Sequence, residues 1–295
     1  MSTLPVDLHA ALAQRLDIEL LQVQMLSGGM VNRAARVQTR DGDVFVKWSD
    51  AASVDMYRAE ADGLHALPSA QALRVPAVIA LGTEPPFLVL EFIEERAPRD
   101  ATEFAQRFAT SLAKMHRNTN CMRGFGLAED NFIGALPQRN TWHKDWPTFY
   151  RECRLLPQIE MARDKGLLPP QREYSLQKIV DNVEVLLCDL PSRPCLLHGD
   201  LWSGNFMSAG DEPVIFDPAL YYGEREMEIA YIQLFGGFPP GFVEMYHAAY
   251  PLEEGYERRR PLHQLYPLLV HLNYFGETYG PQVDRACEMC RTARL

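Results

Sequence analysis

Apolar positions along the first third of the chain alternate with polar ones in short runs, and further on they recur at helical spacing. Val23–Met25, Ala35–Gln38 and Val44–Trp48 are short runs separated by turn signals at Gly28-Gly29 and Asp41-Gly42, a pattern that predicts a small antiparallel sheet. From Asp55 to Leu67 the period changes. Met56, Ala59, Glu60, Gly63, Leu64 and Leu67 fall on one face, with Pro68 after the end, so a helix is expected there, followed by a buried strand at Leu88-Val89-Leu90. Beyond Glu94 the spacing is mostly helical, beginning with Phe104, Phe108, Leu112 and Met115 in a helix from Thr102 to His116. The exceptions are a loop region from Gly124 to Pro147 and two strand-like pieces, Cys195–Leu197 and Val214–Phe216. A β-rich first third on an α-rich remainder implies an α+β protein of two lobes, 1–94 and 95–295, with a cleft between them.

The two late strand-like pieces flank the most informative stretch, His198-Gly199-Asp200-Leu201-Trp202-Ser203-Gly204-Asn205, and the second of them ends in Asp217. His-x-Asp with Asn five residues after the Asp is the catalytic-loop spacing of protein kinases, with Gly199 where those enzymes usually carry Arg. In that pattern Asp200 accepts the proton of an attacking hydroxyl, and Asn205 and Asp217 bind a metal. The first lobe must then supply a cation for the nucleotide phosphates. Lys47 ends the run Val44-Phe45-Val46-Lys47, which resembles the Val-Ala-Ile-Lys strand of kinases; by itself a lysine ending an edge strand is merely solvated. Glu60 changes this reading, because a carboxylate on the apolar stripe of its helix wants a partner and an ion pair would aim the lysine at phosphate. Gly28-Gly29, within Ser27–Asn32, lets backbone amides approach an anion but lacks the Gly-x-Gly-x-x-Gly spacing. His198 is expected to brace the loop, His116 to serve as a C-terminal cap-region residue of its helix, and Trp202 either to stack on an acceptor sugar or to close the cleft.

Composition narrows the partners. A net charge of −10 over 295 residues repels nucleic acid and anionic membranes, and Arg258-Arg259-Arg260, beside Glu253, Glu254 and Glu257, reads as a solvated face. The sequence shows neither a signal peptide nor a membrane span, which points to the cytoplasm. Six dispersed cysteines are expected as reduced thiols, and the Cys287-x-x-Cys290 pair lacks the two further ligands that zinc would need.

Together these residues resemble the fructosamine kinase family, relatives of the aminoglycoside and choline kinases within the protein-kinase-like fold. Gly28-Gly29 with Asn32, then Lys47 and Glu60, are similar to its first lobe. Asn131-Phe132-Ile133-Gly134 with Gln138 and Asn140 is similar to a segment that sets the family apart, and Asp217-Pro218-Ala219 with Tyr221-Tyr222-Gly223 and Glu226 to its metal segment. Leu265–Leu269 with His271, Leu272 and Asn273 completes the likeness. The resemblance implies ATP- and Mg2+-dependent phosphorylation of a sugar hydroxyl of a ketosamine, free or on a protein lysine, which destabilises the adduct and so removes the glycation. It implies nucleotide contacts from Gly28, Gly29, Asn32, Lys47 and Glu60, and it places Trp202 in the family's catalytic loop, where contact with the acceptor and closing of the cleft both stay open.

Three departures accompany it. Pro218-Ala219 replaces Phe-Gly after Asp217, so the phenylalanine switch of protein kinases has no counterpart. Glu228 stands where many relatives carry Asp, so a longer side chain must be accommodated if that position anchors the catalytic loop. Glu224 stands where His is frequent. Two competing readings are a kinase for another hydroxyl acceptor, such as an aminoglycoside, choline or a sugar, and a nucleotide-binding pseudokinase without turnover. The segment from Asn131 to Asn140 argues against the first, and the complete set of lysine, base and metal ligands against the second.

Overall fold

The computed structural model describes residues 4–17, 19–26, 32–70, 72–120, 122–191 and 193–292. Gly28 and Gly29, the expected phosphate-covering turn, lie outside the described residues.

Five antiparallel strands form the first lobe: β1 (Leu20–Leu26), β2 (Arg33–Thr39), β3 (Gly42–Trp48), β4 (Val78–Thr83) and β5 (Pro86–Glu91), in the order β1-β2-β3-β5-β4. The Asp41-Gly42 turn joins β2 to β3 in register, with Thr39 opposite Gly42 and Ala34 opposite Lys47. Burial follows the period of two. Ala35, Val37, Val44, Val46, Phe87 and Val89 face one way and pack against Leu4, Leu8 and Leu12 at helix α1 (Val6–Leu16). The opposite face offers Leu88 and Leu90 to helix α2 (Val54–Ala66), whose Tyr57, Ala61 and Leu64 cover them. Ser53 starts α2 by accepting the Met56 amide. Pro68 does not end the chain's helical course, which continues as a 3-10 turn over Leu67–Ala70.

Helix α3 (Ala101–His116) opens the second lobe, with Asp100 capping the amides of Thr102 and Glu103. The region expected as loop contains a hairpin, β6 (Asn131–Ile133) with β7 (Leu136–Gln138). Next come α4 (Trp146–Phe149), a π turn over Tyr150–Leu155, α5 (Leu156–Asp164), α6 (Pro170–Val180) and α7 (Val183–Leu186). Short strands β8 (Cys195–Leu197), β9 (Phe206–Ala209), β10 (Glu212–Ile215) and β11 (Tyr221–Gly223) carry the loops of interest, and α8 (Arg225–Phe235), α9 (Phe242–Ala249), α10 (Tyr256–Phe275) and α11 (Gly280–Thr292) complete the chain. β9 pairs with β10, and β8 with β11. The two pairs hold the ends of the 198–205 loop and of the 217–220 turn side by side. No helix among the described residues is long and apolar enough to cross a membrane.

Two expectations about charge are corrected. Arg259 is not part of a solvated face but 5% exposed, with two nitrogens on the Glu226 carboxylate at 2.8 and 2.7 Å. A bidentate partner that is itself fully buried makes this ion pair part of the core. Lys47 lies on β3, the middle strand of five, rather than at a sheet edge. Cys287 and Cys290 are buried, free thiols on α11.

Candidate active site

The site forms where β3 and α2 of the first lobe meet the loop after β8 and the turn after β10. Lys47 projects from β3, 4% exposed, and its Nζ lies 2.5 Å from Glu60 Oε2 and 2.6 Å from Asp217 Oδ1. One ammonium therefore sits between two carboxylates. Burial works against the lysine's charge, but Asp217 and Glu60 outweigh it and raise its pKa. Burial pushes the Glu60 carboxyl up to about 8 against the pull of Lys47, whereas in Asp217 the lysine outweighs burial and holds the carboxyl below its usual range. Near neutral pH the cluster is best described as Lys47⁺ with Asp217⁻ and a largely protonated Glu60. Asn32, the one described residue of the Ser27–Asn32 stretch, is tied to the same helix through Tyr57, whose hydroxyl donates to its Oδ1 at 2.9 Å.

Asp200 sits half-buried in the loop after β8. Its two carboxylate oxygens each receive a donor, the Tyr231 hydroxyl on Oδ1 at 2.5 Å and Asn205 Nδ2 on Oδ2 at 3.0 Å. Burial pushes this carboxyl up to about 7, with Tyr231 drawing it down and Asp217 raising it. Such a group is poised to take a proton near neutral pH. Asn205 spends its Nδ2 on Asp200, including the Asp200 carbonyl at 2.8 Å, which leaves its Oδ1 as an acceptor. Asn205 Oδ1 and the Asp217 carboxylate, 44% exposed to the cleft, are hard oxygen donors. Among the described residues no three His, Cys, Asp or Glu side chains gather into a protein-only metal site. Two oxygen ligands fit a magnesium ion that takes the rest of its shell from phosphates and water.

The scaffold beneath the loop explains its unusual residues. His198 is fully buried, and its Nε2 lies 2.9 Å from the Phe216 carbonyl while its Nδ1 receives the Asp200 amide at 3.3 Å. A carbonyl only accepts and an amide only donates, so the proton is on Nε2 and both nitrogens are occupied. Burial lowers the pKa of His198, so it is neutral and braces the loop. Gly199 has φ +84°, and a Cβ there would lie 2.0 Å from the Ala219 carbonyl oxygen, so the arginine of protein kinases does not fit. Its amide donates to Glu228 Oε1 at 2.7 Å, and Glu228 Oε2 lies 2.8 Å from His116 Nε2. The longer acid is thus accommodated as a bridge between α3 and the catalytic loop. His116 is not a cap residue but a fully buried member of that bridge, its Nδ1 2.7 Å from the Tyr246 hydroxyl.

Trp202 is half-buried at the mouth of the loop, its ring over Gly204, where a Cβ would collide with it. Asn131, Gln138 and Asn140 are all buried, bonded to one another and to the carbonyls of Leu220 and Ala219. Their polar groups are spent on each other and on the turn after Asp217. Tyr231 was not legible as a site residue, because a lone tyrosine on an apolar helix has no motif around it.

Residues 6–292 match the fructosamine kinase family along nearly the whole chain. A protein of Enterococcus faecium named as a ketoamine kinase is 40% identical over 264 residues, covering 88% of this chain and 92% of that one. The chain belongs to the fructosamine kinase family. A second relative in it, an Arabidopsis thaliana protein named protein-ribulosamine 3-kinase, chloroplastic, is 37% identical over 268 residues, 88% of this chain and 80% of its own length. A Thermobifida fusca structure solved under the name fructosamine-3-kinase superposes with a TM-score of 0.85 at 35% identity, covering 96% of this chain and 98% of that one. Wider kinship is in fold alone. An ADP-bound aminoglycoside phosphotransferase shares 17% identity at a TM-score of 0.67, covering 97% of this chain and 99% of that chain. Membership in the family and the two-lobed protein-kinase-like fold both agree with the sequence reading.

Proposed function

We propose that this fructosamine kinase family member transfers the γ-phosphoryl group of ATP to a sugar hydroxyl of a ketosamine, the rearranged adduct of a sugar with a free amine or a protein lysine. The observation that carries the reading is Asp200 with a donor on each carboxylate oxygen, beside Asn205 and within the field of the Lys47–Asp217 pair. Lobes 1–94 and 95–295 bring the nucleotide and the acceptor together. Lys47, oriented by Glu60, neutralises phosphate oxygens. Asp200 orients the acceptor hydroxyl and takes its proton as the new O–P bond forms and the bond from the γ-phosphorus to the β,γ-bridging oxygen breaks, with ADP as the leaving group. Asn205 Oδ1 and Asp217 would hold magnesium, which would neutralise charge on the phosphates when bound. Trp202, at the loop mouth, contacts the acceptor sugar. The product, a phosphorylated adduct, is less stable than its parent and releases the amine, which makes the reaction a deglycation.

The test is Asp200→Asn. Removing the base while keeping its shape is expected to lower kcat by about 10²–10⁴-fold with ADP affinity retained. Turnover by that variant at the wild-type rate would sink the assignment. A panel of fructose- and ribulose-derived lysine adducts run beside aminoglycosides, choline and free sugars, read as ADP release, identifies the acceptor class, and exclusive turnover of a non-ketosamine would refute the substrate.

A further inference from the structure

Arg154 is fully buried on the π turn, and none of its hydrogen-bond partners is a carboxylate. Its Nη1 donates to the carbonyls of Arg139 at 2.5 Å and Cys153 at 2.9 Å, and its Nη2 to Asn140 Oδ1 at 2.9 Å. The guanidinium lies over the rings of Tyr221 at 3.9 Å and Phe149 at 4.6 Å. Ring faces attract a cation, but a buried charge without an anion remains costly and calls for a reason.

The reason lies in direction. An amide side chain offers an acceptor at one end and a donor at the other, and nothing in its own shape says which way it points. A guanidinium only donates. Arg154 therefore forces Asn140 to present Oδ1 to it, which turns Asn140 Nδ2 onto Asn131 Oδ1 at 2.7 Å. Asn131, its acceptor taken, must point Nδ2 away, and that nitrogen donates to the Leu220 carbonyl at 2.8 Å. Gln138 Nε2 also meets Asn131 Oδ1, at 2.8 Å, and the Ala219 carbonyl at 3.1 Å, while Gln138 Oε1 accepts from the Tyr266 hydroxyl at 2.7 Å. Three amides are polarised in one sense, and the outward N–H groups of two of them, Asn131 and Gln138, converge on two successive carbonyls just after Asp217. Those carbonyls need holding. Asp217 has φ +55°, a left-handed backbone that a non-glycine residue adopts only against a steric cost.

We propose that Arg154 is a positioning residue that sets the orientation of the Asn140–Asn131–Gln138 amide chain and, through the Ala219 and Leu220 carbonyls, fixes the Asp217 backbone in its metal-facing conformation. The inference rests on the reading of Asp217 as a metal carboxylate. It assigns the segment that distinguishes the family a role in metal geometry rather than in acceptor choice.

The experiment measures ADP affinity by calorimetry with and without Mg2+ for wild type, Arg154→Met, Arg154→Lys and Tyr266→Phe. The readout is the gain in affinity that Mg2+ confers. Arg154→Met should lower that gain about tenfold, the equivalent of one 1.4 kcal/mol interaction, with metal-free ADP affinity unchanged within about twofold. Arg154→Lys keeps a donor-only cation and should recover most of the gain, although it loses the planar stack. Tyr266→Phe, which frees only the far end of Gln138, should lower the gain about threefold, and it decides the matter by itself where the methionine variant does not fold. A folded Arg154→Met protein with the wild-type gain, an equal loss of metal-free affinity, or an unchanged gain in Tyr266→Phe overturns the proposal. If wild type itself shows no gain from Mg2+, the metal role of Asp217 fails, and the inference falls with it.

Discussion

Replacing Tyr231 by phenylalanine removes one oxygen atom from a fully formed site and tests the chemistry of Asp200 directly. The hydroxyl sits 2.5 Å from Asp200 Oδ1 on a side chain 3% exposed, so water does not readily take its place. A hydrogen bond to a charged group is worth about 1.5–3 kcal/mol, and one pKa unit is about 1.4 kcal/mol, so the Asp200 carboxyl should rise by roughly one to two units. It starts from about 7. The sign follows from the role: a base must be ionised, so activity is lost as pH falls through its pKa, and a raised pKa moves that loss to higher pH. From this starting point the ionised fraction at pH 7 drops from about a half to between a tenth and a hundredth, which makes Tyr231→Phe about 5- to 50-fold slower at pH 7. Recovery toward wild type is expected as the pH approaches 10. The assay is kcat/KM for the ketosamine against pH at fixed saturating Mg2+ and ATP, for both proteins, and the measured quantity is the separation of their acid limbs. A bound cation lowers both limbs alike and leaves the separation in place. Coincident limbs, or a drop of the same size at every pH, would refute the reasoning.

Two further outcomes follow from the first lobe. Glu60→Gln removes a carboxyl that burial holds at about 8, and a folded pKa above the unfolded value of about 4.5 means that wild type loses stability as pH rises between the two. The melting temperature of the variant should therefore gain on wild type from pH 5 to pH 8 and stay level above it, while ADP affinity falls about fivefold as Lys47 loses its guide. A pH-independent difference would count against the protonated Glu60. Gly63 lies on α2, where a Cβ would come within 2.9 Å of Pro218 Cγ. Gly63→Val should thus cost about 1–3 kcal/mol in urea unfolding and weaken ADP binding, and a stabilised variant would show that α2 does not press on the turn after Asp217.

How much of this was legible in the sequence depended on whether function is carried by spacing or by contact. The strands around Asp41-Gly42, the helices bearing Glu60 and Phe104, and the set Lys47, Asp200, Asn205 and Asp217 all carry periodicity or fixed intervals. Helix α1 was not read because only Leu8 and Leu12 of its eleven residues are buried, too few to mark a period. β4 was missed because Gly82 and a register irregularity near its start blur its alternation. The hairpin from Asn131 to Gln138 has three-residue strands, below what a pattern of two can reveal. His116, Arg259 and Tyr231 acquire their roles from partners 31 to 130 residues away in the chain, and Arg154 from Asn140 and a ring face. For His116 and Arg259 the residue type alone favoured the cap and the solvated face, and only the fold supplies Glu228 and Glu226.

The wedge of Gly63 against Pro218 has a consequence for how such a protein is governed. In kinases controlled by their lysine–glutamate pair, a helix swings out to disarm the site and back to arm it. Here the pair is already made, and that helix rests on the very turn that carries Asp217. The machinery is cocked by folding itself. To swing out, α2 would have to break the Lys47–Glu60 pair and lift Gly63 off Pro218 in a single movement.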